Sequence, residues 1–113
     1  MDKFYAVCYS KDWSTLYDIR QSFNGGNIGV FDTVELANDA IKNIKLENFY
    51  CWHKGIEVDD DRSFLTDAGT LIRTIKMTNT DGSGVPFWFS CKLEFYVEEL
   101  KHNVIDYDKC DLY

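Results

Sequence analysis

The sequence predicts an α+β domain: an antiparallel sheet of about five strands with one main α-helix packed on one face. Three observations carry this. From Phe87 to Val97 every odd position is apolar, while Ser90, Lys92, Glu94 and Glu98 interrupt the even ones. Successive strand side chains point to opposite faces, so this period of two buries one face and wets the other. The second observation is a capped helical pattern over residues 32–47. The third is a set of glycine-bearing turns, Asn24-Gly25-Gly26-Asn27 and Asp81-Gly82-Ser83-Gly84, placed between apolar runs.

The elements follow in order. Phe4-Tyr5-Ala6-Val7-Cys8-Tyr9 reads as a first strand, ended by Ser10-Lys11-Asp12. Residues 13–23 fit strand spacing through Tyr17, Ile19, Gln21 and Phe23, and helical spacing through Leu16, Ile19 and Phe23. The glycine-rich turn that follows favours a strand, with a short Ile28-Gly29-Val30-Phe31 strand beyond it. Asp32 is the expected helix cap, with Glu35 completing a capping box and Phe31 stapled to Leu36. Val34, Ala37, Ala40, Ile41 and Ile44 form the buried stripe; Asn38, Asp39, Lys42 and Lys45 look outward.

Residues 49–58 are expected to be extended, with Gly55 as a bend. Asp59-Asp60-Asp61-Arg62-Ser63 is expected to be a polar loop, and Phe64-Leu65 with Asp67-Ala68-Gly69 a turn or a short helical piece. Leu71 to Thr78 forms a strand with Leu71, Arg73, Ile75 and Met77 on one side, and a hairpin joins it to the alternating segment. The last stretch, 99–113, docks through Val104, Ile105, Tyr107 and Leu112 as a short strand or helical turn.

With 113 residues, 45% hydrophobic and 16% aromatic, the chain has the apolar content for one core in a single domain spanning 1–113. A net charge of -7 disfavours direct binding to nucleic acid or an anionic membrane, because both need a basic patch. No apolar run is long enough for a spanning helix, and no signal-peptide pattern opens the sequence, so a cytoplasmic protein with reduced thiols is expected.

Catalytic and metal signals are sparse. Cys51 and His53 share a strand face, which permits a thiolate–imidazole pair or, with His102 or Cys110, a metal site. No nucleophile motif or paired zinc-ligand spacing accompanies them, and neither glycine-rich segment has phosphate-loop spacing. The acidic triplet lacks the glycine and closing glutamate of a calcium loop, with Phe64 and Thr70 in those places. The expectation is therefore a non-enzymatic protein with no cofactor and no metal.

What remains is surface. Trp88, Tyr96 and Glu94 on the wet side of the alternating segment, with Asp59, Asp60 and Asp61, are the expected protein-binding residues, since tryptophan and tyrosine dominate binding hot spots. The partner is expected to be another protein, one with a basic nucleic-acid-binding cleft that acidic residues enter by partial mimicry. Seven net charges match only about 12 Å of duplex axis, so the imitation is of a short patch. An exposed strand edge also offers pairing into a homodimer.

The junction Ile28-Gly29-Val30-Phe31-Asp32-Thr33 through Ala40-Ile41 resembles small uncharacterised proteins of phages and mobile elements. It covers less than a third of the chain and transfers no site residue. The origin it implies is a phage or mobile element; with the sparse catalytic signals and the aromatic and acidic surface, the expectation is an inhibitor of a host defence or nucleic-acid-handling protein.

Overall fold

The structure, a computed structural model, describes residues 3–14, 20–46, 56–79, 90–102 and 104. Within them the sheet dominates. Strands β1 (Lys3–Ser14), β2 (Arg20–Phe31), β3 (Ile56–Leu65), β4 (Leu71–Asn79) and β5 (Ser90–Lys101) join in the order β2-β1-β5-β4-β3, every pairing antiparallel. The helix α1 (Val34–Lys42) lies across one face. This is broadly the expected α+β arrangement, and the β4–β5 pairing is the expected one.

The alternation in β5 buries Cys91, Leu93 and Phe95 against Ile75 and Met77 of β4, Val7 of β1, and Ala37 and Ile41 of the helix. Phe95, Ile75 and Ile41 have no exposed surface. Burial of side chains this size contributes about 1.5–3 kcal/mol each, so β5 is held chiefly by its odd face.

Several local expectations are corrected. The first strand does not end at Ser10-Lys11-Asp12 but runs on to Ser14, paired with β5 throughout. The helix cap is Thr33, whose hydroxyl accepts from the Leu36 backbone N–H at 3.2 Å, rather than Asp32. Either residue type can cap, and the sequence pattern shifts by one. Leu36 is then 51% exposed and staples nothing, and the helix ends at Lys42 with Asn43 as its C-cap, short of residue 47. Asn38 does not look outward. Its amide donates to Gly69 O at 2.9 Å and its oxygen accepts from Leu71 N–H at 2.8 Å, tying the helix to the 66–70 turn.

The segment 24–27 is not a turn but the interior of β2. Opposite it the register slips twice, Val7/Cys8 and Tyr9/Lys11 on β1 each facing one extra residue on β2. Glycine serves bulges as readily as turns. Here the Tyr9 ring lies over Gly26, where an added Cβ would sit 2.3 Å from the ring.

Finally, Asp59-Asp60-Asp61-Arg62-Ser63 is not a loop but the body of β3, the edge strand. Charged side chains are tolerated at an edge, where they discourage pairing with another chain. Phe64 and Leu65 are not part of a turn or helical piece but end β3, whereas Asp67-Ala68-Gly69 does turn, Gly69 taking φ 80° in a loop closed by Thr66 and Thr70. Residues 15–19, 47–55, 80–89 and 105–113 lie outside the described set, including Trp88, Cys51, His53, Cys110 and the docking tail.

Candidate functional site: the helix-free face of the sheet

The even positions of β5 point away from the helix, and the register arranges them with their neighbours into rungs across the sheet. One rung is Ser22, Asp12, Lys92, Lys76 and Asp60, contributed by β2, β1, β5, β4 and β3 in turn. Beside it on one side are Ser14, Ser90 and Thr78, and on the other Ser10, Glu94, Thr74 and Arg62. Further along β5 come Tyr96, Glu98 and Leu100, facing Cys8, Ala6 and Phe4.

The expected binding residues are therefore partly brought together. Tyr96, Glu94, Asp60 and Asp59 all belong to this face. Asp60 forms an ion pair with Arg62 at 2.9 Å, and Asp59, the extra residue of a bulge, accepts a hydrogen bond from the Thr78 hydroxyl. Asp61 points to the other face. There the Arg73 guanidinium grips both its oxygens, at 2.9 and 2.7 Å, and holds the carboxyl below its ordinary pKa. The same guanidinium donates to the carbonyls of Ile41 and Ile44 at 3.0 Å, closing the end of the helix. Asp61 is thus a structural residue, its side chain half-exposed over an almost buried arginine.

The helix-free face is not uniformly open. Ala6 and Cys8 on β1 are 1% and 2% exposed, and the Cys8 thiol sits 3.7 Å from a Glu98 oxygen. Tyr96 beside them is half-buried. Burial raises the pKa of its phenol, with Cys8, Glu98 and Glu94 adding to the shift. At the other end of β5 the face opens: Lys76 and Lys92 are exposed at the floor of a cleft of about 660 Å³. Asp12, Asp59 and the hydroxyls of Ser14, Ser90 and Thr78 line it, with Ser14 and Ser90 hydrogen-bonded at 2.7 Å.

This cleft is absent from the sequence reading. The signal that finds it is positional. Lys76 and Lys92 are equidistant from Gly84, so a hairpin centred there sets them opposite one another.

The described residues offer little for covalent chemistry. Cys8 and Cys91 are buried, and burial pushes the Cys91 thiol up to about 11, which keeps it protonated. His102 packs edge-on against the Phe4 ring, centroids 4.9 Å apart. Among the described residues no group of three or more His, Cys, Asp or Glu is arranged to hold a metal ion, and no helix is long and apolar enough to cross a membrane. Comparison with protein-family models, with curated proteins and with solved structures returns no match to this chain.

Proposed function

We propose that this chain is a non-enzymatic protein-binding module that engages a basic surface of another protein through the helix-free face of its sheet, around Tyr96. The observation that carries the reading is the placement of Tyr96 between Glu94 and Glu98 on the strand face that α1 leaves uncovered. A tyrosine supplies rigid contact area, and flanking carboxylates select a partner that presents lysine or arginine around an apolar recess. A cleft that handles nucleic acid is a protein surface of that kind, so inhibition by occupying such a cleft is the biological form proposed.

Extended duplex mimicry is a poorer reading. The acids of this face alternate with Lys76, Lys92 and Arg62, whereas a duplex presents uninterrupted negative charge. Recognition of a basic protein patch needs only the local acidity around Tyr96.

The test is site-specific photocrosslinking in the cells that make the chain, with benzoylphenylalanine at position 96 and, as control, at Leu36 on the exposed side of the helix. A discrete adduct from position 96 alone, lost on Glu94→Lys, is expected. Equal adducts from both positions, or none from position 96, would count against the proposal.

A further inference from the structure

Lys76 and Lys92 stand directly opposite on adjacent strands, and like charges so placed destabilise a sheet. Asp12 stands across from Lys92 on the other side but, among the described residues, forms no ion pair with it, so the lysine pair is only partly compensated and can take a further anion. Asp60, across from Lys76, is engaged by Arg62, and Asp59 is engaged by Thr78. Among the described residues neither lysine has a carboxylate within ion-pair distance.

We infer that the cleft binds a phosphorylated small molecule, with the phosphate held between Lys76 and Lys92 and by the hydroxyls of Ser90 and Ser14. Three features support this class of ligand. The ammonium groups supply charge-assisted donors from two strands of one rigid sheet. The hydroxyl pair on the neighbouring rung rotates to donate where an acceptor is present. The cleft, at about 660 Å³, falls in the size range of small-molecule sites rather than that of a lone ion. Asp12, opposite Lys92, gives the ligand a second requirement: it accepts hydrogen bonds, so a hydroxyl-bearing monoester fits better than a bare polyanion. Lys92 lies four residues along β5 from Tyr96, about 13 Å, and the phosphate site uses neither Tyr96 nor Glu94, so it is tested apart from the protein-binding reading.

The experiment is calorimetric titration of the full chain with AMP, inorganic phosphate, pyrophosphate and, as an uncharged control, adenosine, without any protein partner. Saturable binding of AMP with none of adenosine is expected, weakening as salt is added. Lys76→Gln and Lys92→Gln should each weaken it about tenfold or more, as loss of one charge-assisted hydrogen bond does. Lys42→Gln on the helix should leave it unchanged. AMP bound more tightly than phosphate supports a monoester as the ligand; equal affinity for the free ion would overturn it. The absence of saturable heat from every phosphate-bearing probe at about 10 mM, or unchanged binding in both lysine variants, overturns it. Circular dichroism of the variants confirms that the fold is kept, because both lysines are exposed.

Discussion

Arg73 ties the end of the helix to the sheet. Its guanidinium is nearly buried and satisfies two helix-terminal carbonyls and one carboxylate together, a geometry that lysine's single ammonium cannot reproduce. Arg73→Met should cost about 2–4 kcal/mol in urea melts, because Ile41 O keeps only its backbone donors, Ile44 O loses the guanidinium and Asp61 loses its partner. The pH dependence follows in sign. Asp61 has a folded-state pKa below its unfolded value, so its contribution is present above about pH 4 and is lost as pH falls through the folded value. Asp61→Asn should flatten that acid limb of the stability profile and lower the plateau at neutral pH. An unaltered profile would show that the pair is ornamental.

At the scale of elements, α1 is too short to be stable alone and depends on what it packs against and what ties its side chains down. Asn38 reaches across to the β3–β4 turn with both its donor and its acceptor. Asn38→Ala should therefore cost about 1–3 kcal/mol, more than an exposed helix position warrants, because Leu71 N–H is left unpaired in a half-buried place. Thermal melts of that variant beside Asp39→Ala, an exposed neighbour, make the comparison; equal melting points would contradict it.

Elements differ in how much the sequence reveals, for physical reasons. β5 and β4 were legible because their partners share one hydrophobic face, and a period of two reports burial directly. β3 was hidden because three consecutive aspartates resemble a solvated loop. Their partners, Arg73, Thr78 and Arg62, include two on a strand that only folding brings alongside. Gly25 and Gly26 were read as a turn because the same backbone freedom that serves a turn also admits a bulge and the Tyr9 ring. Of the candidate site, Tyr96 and Glu94 followed from parity along one strand. The lysine pair required a register, which no local pattern states.

For the whole molecule, one strand does two jobs. β5 is central in the sheet, its odd side chains fused into the core under α1 and its even side chains forming the middle of the helix-free face. Chemistry divides along the same line. Among the described residues the helix side holds the apolar core and the Arg73–Asp61 pair, while the opposite side holds rungs of charge and hydroxyl at the cleft and the buried Ala6 and Cys8 beside Tyr96. If the helix-free face binds as proposed, stability and recognition respond to different substitutions.

An alanine scan along β5, read by thermal melting together with AMP titration and crosslinking at position 96, tests that division most directly. Leu93→Ala and Phe95→Ala should lose about 2–5 kcal/mol of stability. Lys92→Ala and Glu94→Ala should keep the melting point within a few degrees while abolishing AMP binding and the crosslink respectively. If the even positions collapse the fold as the odd ones do, or if their loss leaves both binding signals intact, the two faces do not have separate roles.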